Sequence, residues 1–231
     1  MNLSIIIPVF NEETTILEIL HRVNALKKIC QIEVIVINDG SIDNSKKIIE
    51  SNSQYYSKFI DLKKNSGKGK AVIEGIKSCT SDYILIQDAD LEYNPQDILN
   101  SIEENNKNNF DIIMGSRFIG NKRTVLHFWH MLGNKFITFL FNFLNNTTFS
   151  DIYCCYCMLK KDLINVKKLN CYGWGQQAEI LTYAVNNKTK IFEIGVNYHG
   201  RNYDEGKKIR YYDVFSVVYW IIFTRIKKIF L

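Results

Sequence analysis

The chain has 231 residues, a hydrophobic content of 46% and only two prolines, which suits one large domain with at most a short appendage rather than domains on a long linker. Its formal charge of +5 favours anionic partners such as phosphates or anionic lipid. Nucleic acid is disfavoured as a partner, because the lysines are scattered and the sequence has no helix-turn-helix, zinc-finger or RNA-binding motif.

Short apolar runs rich in Ile and Val alternate along the chain with segments of helical periodicity. The predicted strands are residues 3–9, 32–37, 59–62, 83–87, 110–114, 153–159 and 190–198. The predicted helices are the segment after Asn11, about 44–52, the segment after 65–70, and residues 95–106, 125–144 and 176–185. This alternation predicts an α/β domain over residues 1–210 with a mainly parallel central sheet.

The end of the chain has a different pattern. Residues 214–223 are apolar and are followed by Arg225, Lys227 and Lys228. A bilayer-spanning helix needs roughly 18–20 apolar residues, so we expect residues 211–231 to form an amphipathic helix at a membrane surface. The aromatic segment 125–144 is expected to lie beside it. Ordinary packing against the sheet is the alternative for both segments.

Two carboxylates follow the predicted strand 83–87. Asp88 and Asp90 are spaced i, i+2, and Glu92 continues the alternation. Carboxylates released from a strand end can converge on a hard cation such as Mg²⁺ or Mn²⁺. They could also be solvated turn residues, but ligands of open α/β sheets gather beyond the carboxyl ends of the strands. We therefore predict a metal site here.

A glycine-rich segment, N-S-G-K-G-K at residues 65–70, leads into a predicted helix. Its spacing does not match the nucleotide-binding P-loop, although a glycine-rich helix start favours an anion. Lys68 and Lys70 are therefore either anion contacts or a solvated pair.

Five motifs occur in order: I-I-I-P-V-F-N-E-E, V-I-N-D-G-S-I-D-N-S, N-S-G-K-G-K-A-V, I-Q-D-A-D-L-E-Y-N-P and M-G-S-R-F. F-W-H-M-L-G-N-K and Y-H-G-R-N-Y-D-E-G-K-K-I follow them. In this order and spacing the chain resembles, over nearly its whole length, the inverting family 2 glycosyltransferases of the dolichyl-phosphate mannosyltransferase type. The resemblance implies a GT-A-like nucleotide-binding fold and transfer of one sugar from a nucleotide sugar to a polyprenyl phosphate. GDP-mannose is the first expected donor, and UDP-sugars stay open.

The resemblance also implies roles for individual residues. The base and ribose pocket would be formed by Pro8, Phe10, Glu12, Ile37 and Asp39. The metal ion, Mg²⁺ or Mn²⁺, would be held by Asp88, Asp90 and Glu92. The remaining nucleotide-sugar contacts would be Ala89, Arg117, Arg201 and Lys207, of which the last three also suit the acceptor phosphate. Asp88, Asp90 and Arg117 are expected to be critical for catalysis.

Two regions depart from the family pattern. Relatives often carry Glu, Thr and Lys at the positions of Tyr153, Cys154 and Cys157. They usually carry Glu at the position of Gln177, and this difference bears on sugar recognition.

Residues 200–209 are polar and basic, with Gly200 and Gly206 as possible hinges. We expect this segment to be a lid over the donor and acceptor phosphates.

Two other functions stay open. A glycosyltransferase of the same fold acting on a sugar or protein hydroxyl would need a general base, and Glu179 is its first candidate. A membrane-associated relative without catalysis is the non-enzyme alternative, which the intact Asp88 and Asp90 argue against. A dinucleotide-dependent dehydrogenase is disfavoured because P-V-F-N-E, not G-x-G-x-x-G, follows the first strand.

The expected location is the cytoplasmic face of a membrane, with the protein bound peripherally. The first residues enter a strand directly, which predicts that there is no signal peptide. Six cysteines without a secretory signal predict free thiols in a reducing compartment.

Overall fold

The computed structural model describes residues 1–120, 128–201 and 212–230. The strands are β1 (Leu3–Val9), β2 (Ile32–Asp39), β3 (Lys58–Leu62), β4 (Tyr83–Ile86), β5 (Ile112–Ser116), β6 (Cys157–Lys160) and β7 (Ile191–Gly195). The α-helices are α1 (Ile16–Leu26), α2 (Ser45–Glu50), α3 (Lys68–Ser78), α4 (Asp97–Asn108), α5 (Phe128–Asn145), α6 (Gln176–Ala184) and α7 (Asp213–Phe230). Strands and helices alternate through most of the chain, which gives the predicted α/β class.

The seven strands form one sheet in the order β3-β2-β1-β4-β6-β5-β7. The sheet is mainly parallel, as predicted, but β6 runs antiparallel to both of its neighbours, β4 and β5. The predicted strand 153–159 is shorter than expected and begins only at Cys157. Its first residues form a turn instead, in which the Asp151 carboxylate accepts hydrogen bonds from the backbone N–H groups of Arg117 and Tyr153.

The core lies on both faces of the central strands. β1 and β2 are buried over almost their whole length, which is typical of parallel strands covered by helices. Helix α3 approaches the sheet closely at Gly75. A Cβ atom at this position would lie 2.5 Å from Ile6 Cγ2 and 3.0 Å from Ile37 Cδ1, so only glycine fits. This contact fixes the rotation of α3 against the sheet.

The last helix, α7, continues through the basic residues after position 223 and packs on the body of the protein. Val217 and Ile221 are buried, and α7 contacts both α5 and α6. Trp220 lies against Gly175 at the start of α6. At the other end of α6, the Lys228 ammonium donates to the carbonyl oxygens of Thr182, at 2.7 Å, and Val185. The helix is thus held along the whole length of α6. None of the helices in the described ranges is both long enough and apolar enough to cross a bilayer.

Replacing Gly175 by Ala should destabilise the protein, because the added Cβ would lie 2.7 Å from Trp220 Cβ and force α7 outward. We expect a loss of about 1–3 kcal/mol in the free energy of unfolding, measured by urea denaturation. Gly173→Ala is the matched control two residues away, where a Cβ would meet no atom within 4 Å. Equal stability of the two variants would contradict this account of how α7 is held.

Candidate active site

A cavity of about 970 Å³ lies at the carboxyl ends of the central strands. Ligands of open α/β sheets bind at this edge. The predicted site residues that line the cavity are Pro8, Phe10, Glu12, Asp39, Asp88, Ala89, Asp90, Glu92, Arg117 and Arg201. Ile37 does not line it, since its side chain is fully buried in the core against Gly75. Lys207 lies outside the described residues, as does the expected lid beyond Arg201.

The acidic end of the cavity is built by the loop after β4. Leu91 adopts a left-handed φ of 62°, which is uncommon for a bulky residue and stores strain in this loop. The turn allows the Glu92 backbone N–H to donate to Asp90 Oδ1 at 3.1 Å. The Glu92 carboxylate in turn accepts hydrogen bonds from the Tyr198 hydroxyl at 3.0 Å and the Arg201 backbone N–H at 2.8 Å. Glu92 therefore ties the segment after β7 to the loop that carries the two aspartates.

Arg201 joins the loops after β1 and β4. Its guanidinium donates to both Glu12 oxygens, at 3.1 and 3.0 Å, and to Asp90 Oδ2 at 3.3 Å. Burial acts to lower the pKa of Arg201, but the hydrogen bond to Glu12 and the charges of Asp90, Glu12 and Glu92 outweigh it and raise this pKa. Arg201 is thus a fixed positive charge among three carboxylates.

The two lysines of the glycine-rich segment have different environments. The Lys68 ammonium lies 2.5 Å from Asp88 Oδ1 and lines the cavity. The Lys70 ammonium instead pairs with Glu74 at 2.7 Å, one turn further along α3. One lysine is therefore a site residue and the other is a partly solvated side chain.

Asp39 shapes the start of α3. Its carboxylate accepts hydrogen bonds from the backbone N–H groups of Ser66, at 2.8 Å, and Gly67, at 2.9 Å. Gly67 has a φ of +95°, which favours glycine, and it is the residue immediately before the helix. Burial raises the pKa of Asp39 although these two bonds oppose the shift. Asp39 holds the loop in place and also faces the cavity.

Arg117, after β5, lines the cavity but is already bound on one side. Its guanidinium makes a two-pronged pair with Asp151, with Nε–Oδ2 at 2.7 Å and Nη2–Oδ1 at 2.9 Å. The Asp151 side chain is fully buried, and the guanidinium carbon lies 5.2 Å from the centre of the Tyr198 ring. Asp151 therefore orients Arg117. The phosphate-binding role of Arg117 stays a prediction.

Helices α5 and α7 supply the apolar wall of the cavity. It consists of Trp129, Leu132, Phe136, Ile137, Val214 and Val217, and the polar residues His130, Asn134 and Asp213 of the same helices also line the cavity. Both helices also carry a row of large apolar side chains on their outer surfaces. On α5 these include Phe139 and Phe143, which are 67% and 75% exposed, and on α7 Phe215 is 73% exposed. The apolar wall of the cavity is thus continuous with an exposed apolar surface.

Several contacts of the site join segments that are distant in the sequence. Tyr198, Asp151 and Trp174 take part in such contacts, and no local sequence pattern indicates this. For Lys68 the sequence leaves open whether it contacts an anion or is solvated. Glu179, the candidate general base, does not line the cavity. Its carboxylate is buried and accepts hydrogen bonds from the backbone N–H groups of Asn170 and Cys171, at 2.9–3.1 Å. Gln177 is also buried, with its amide 3.7 Å from Met114 Sδ.

The acidic loop has the donor chemistry that a hard divalent cation needs. Burial, together with the charges of Asp88 and Glu92, raises the pKa of Asp90 to about 7 although Arg201 opposes the shift. An added cation would relieve this concentration of carboxylates. Across the described ranges, however, no group of three or more His, Cys, Asp or Glu side chains is arranged to hold a metal ion. Asp88 is paired with Lys68 and Asp90 with Arg201, so the metal-binding roles of Asp88, Asp90 and Glu92 stay predictions.

Proteins of known sequence resemble the chain. The chain is 28% identical over 228 residues to the dolichol-phosphate mannosyltransferase of Pyrococcus furiosus, which covers 95% of this chain and 64% of that protein. It is 35% identical over 126 residues to the poly-beta-1,6-N-acetyl-D-glucosamine synthase of Staphylococcus epidermidis, covering 54% of this chain and 30% of that one. The chain thus spans less than two thirds of the length of either relative.

Solved structures match the fold. Glucosyl-3-phosphoglycerate synthase from Mycobacterium tuberculosis, in complex with Mn²⁺, UDP-glucose and phosphoglyceric acid, superposes with a TM-score of 0.73 at 14% identity. The match covers 98% of this chain and 79% of that one. TarS from S. aureus, in complex with UDP-GlcNAc, gives a TM-score of 0.64 at 18% identity, covering 97% of this chain and 66% of that one. These likenesses establish a GT-A-like fold.

The family model for glycosyl transferase family 2 matches residues 4–166, which is well over half of the chain and includes the loops that carry Glu12, Asp39, Asp88, Asp90 and Arg117. The chain belongs to glycosyl transferase family 2.

Proposed function

We propose that the protein is a metal-dependent inverting glycosyltransferase that moves a single sugar from a nucleotide sugar to a polyprenyl phosphate. The observation that carries the proposal is the mixed lining of the cavity, which combines acidic and cationic side chains with an apolar wall. A nucleoside diphosphate and an acceptor phosphate suit the charged side chains, and a prenyl chain suits the apolar wall. The 28% identical dolichol-phosphate mannosyltransferase adds support for this acceptor and for mannose as the first donor sugar.

The donor would lie across the carboxyl ends of β1, β2 and β4. Phe10 offers a ring for stacking, and the Glu12 and Asp39 carboxylates offer acceptors for ribose or base donors. Pro8 and Ala89 complete this part of the lining. These contacts suit either GDP-mannose or a UDP-sugar.

Asp88 and Asp90, with Glu92, are the residues proposed to hold Mg²⁺ or Mn²⁺. The bound ion would supply positive charge to the leaving nucleoside diphosphate. Binding of the ion would require Lys68 and Arg201 to give up their contacts with these carboxylates. Arg201 would then be available to phosphate oxygens, together with Arg117 and, beyond the described residues, Lys207.

The reaction would be one in-line displacement at the anomeric carbon. An oxygen of the acceptor phosphate forms the new bond to this carbon as the bond to the diphosphate oxygen breaks, which inverts the configuration. A phosphate monoester has a second pKa near 6, so at neutral pH it is mostly a dianion and needs little help from a general base. The placement of Glu179 outside the cavity lining fits this mechanism better than transfer to a sugar or protein hydroxyl.

We also propose that the protein binds the cytoplasmic face of a membrane through residues 211–231 and the outer face of α5. The exposed side chains Phe215, Tyr219 and Ile226 form one stripe on α7, spaced for a single helix face. Arg225 and Lys227 lie near the end of this helix, where they can meet anionic headgroups. Such a position would present the apolar wall of the cavity to a lipid acceptor.

Asp90→Asn should lower turnover of the nucleotide sugar by about a hundredfold or more, because it removes one negative metal ligand beside the leaving group. The fold should survive, as judged by circular dichroism. Asp162→Asn, at an exposed position outside the cavity, should keep full activity. Unchanged metal-dependent turnover in Asp90→Asn would rule out the proposed metal role.

The acceptor is tested with a panel of GDP-mannose, UDP-glucose and UDP-N-acetylglucosamine against undecaprenyl and dolichyl phosphate. Mass spectrometry of the lipid fraction should detect a sugar attached to the lipid phosphate with at least one donor. The matched control is undecaprenol, which lacks the phosphate nucleophile and should remain unmodified. Glycosylated undecaprenol, or turnover only with a hydroxyl acceptor, would replace the proposal with the hydroxyl-transfer reaction.

Replacing Phe215, Tyr219 and Ile226 together by Ser should weaken flotation with anionic phosphatidylglycerol liposomes, since it removes three of the exposed apolar side chains of α7. Ile29 and Ile42 are 66% and 89% exposed and lie far from this surface in the sequence, so their double replacement by Ser is the matched control. The control should float like the wild type. If the triple variant also floats like the wild type, α7 is not the membrane contact.

A further inference from the structure

The ion pair between Lys68 and Asp88 lies inside the cavity, on a carboxylate that is proposed to bind the metal ion. The Lys68 ammonium lies 2.5 Å from Asp88 Oδ1, and the two side chains are only 13% and 15% exposed. The same ammonium donates to Cys155 Sγ at 3.3 Å and lies 5.9 Å from the centre of the Trp174 ring. These contacts enclose it in a socket on the cavity wall.

The socket keeps the ammonium charged. The Asp88 carboxylate contacts the Lys68 ammonium directly, and this opposite charge favours the charged form of the lysine. A permanently charged group in contact with Asp88 therefore occupies one side of a carboxylate that is also a candidate ligand for a divalent cation. Two cations cannot share that oxygen without strong repulsion in a site shielded from water.

Helix geometry explains why Lys68, and not Lys70, contacts Asp88. Lys68 is the first residue of α3, whose rotation is fixed by the close contact of Gly75 with the sheet. Lys70 is two residues further, about 200° around the helix axis, and pairs with Glu74 outside the cavity lining. Lys70 is therefore a matched control for Lys68, because it has the same charge and lies on the same helix but does not line the cavity.

We propose that Lys68 is a resident counter-ion of Asp88 that competes with the divalent metal and thereby sets the metal affinity of the site. The inference rests on the proposed metal-dependent function and assigns a positioning role to a lysine outside the acidic motif. With the metal absent, Lys68 keeps Asp88 paired. With the metal present, the ammonium is displaced into the cavity, where the phosphates of a donor are suitable partners.

The decisive experiment titrates each protein with Mn²⁺ in the absence of any nucleotide sugar and measures the free ion by electron paramagnetic resonance. Lys68→Met should bind Mn²⁺ about tenfold more tightly than the wild type, because it removes the competing charge and leaves Asp88 unpaired. Lys68→Gln, which can still donate a hydrogen bond to Asp88, should also bind more tightly. Lys68→Arg keeps the positive charge and should restore weak binding, and Lys70→Met should match the wild type.

Thermal unfolding is an independent test of the competition between Lys68 and the metal ion for Asp88. In EDTA, Lys68→Met should melt at a lower temperature than the wild type because the Asp88 charge has lost its partner. Saturating Mn²⁺ should raise its melting temperature by more than it raises that of the wild type. A residue with a purely structural role would lose stability with and without metal alike.

Equal Mn²⁺ affinity in the wild type, Lys68→Met and Lys68→Gln overturns the counter-ion role and leaves the proposed function intact. Weaker binding by both neutral variants also overturns it, since Lys68 would then support the metal site. If neither the wild type nor any variant binds Mn²⁺ in this titration, the counter-ion role is overturned, whereas the proposed metal-dependent reaction is judged separately by turnover with metal and donor present.

Discussion

The balance of charge at the carboxyl ends of the central strands is the constraint on which the site depends. Glu12, Asp88, Asp90 and Glu92 are brought to one end of the cavity by loops that leave different strands. Such a concentration of carboxylates is unfavourable unless cations accompany it, and burial sharpens the cost. Lys68 and Arg201 balance part of this negative charge in the present structure. Under the proposed function, a divalent ion would balance it when the substrate binds.

Glu179 and Glu193, away from the acidic loop, differ in their partners from Asp88 and Asp90, whose charges are paired with cationic side chains. Glu179 and Glu193 accept hydrogen bonds from backbone N–H groups, and Glu193 binds that of Ser150 through both oxygens, at 2.9 and 3.0 Å. Those bonds are part of the folded backbone and can be released only by rearranging it. Asp88 and Asp90 instead pair with the ends of long cationic side chains, which can move by rotation about single bonds. Carboxylates paired in this second way are suited to exchanging partners during a reaction.

The helices α5 and α7 supply the apolar part of the site. They pack on each other, and α7 also packs on α6, yet each leaves large aromatic side chains on its outer surface. A contiguous apolar surface of this kind is unusual on a protein that works in water alone. Because the same two helices also form the apolar wall of the cavity, under the proposed function they would accommodate the chain of an amphipathic substrate whose phosphate lies at the cationic end.

The sequence by itself determined the α/β class, the strands of the sheet, and the loops whose acidic and basic residues line the cavity. It could do so because strands buried on both faces read as continuous apolar runs, and because parallel strands present their carboxyl ends at one edge. The direction of β6 was missed, since an apolar run carries no sign of its orientation within a sheet. The partners of the site residues were missed as well, because Asp88 and Lys68, or Arg117 and Asp151, are separated by tens of residues along the chain. Only the tertiary structure decided that Lys68 rather than Lys70 enters the cavity: the two differ by about 200° around α3, and the packing of Gly75 against Ile6 and Ile37 selects the face that points inward.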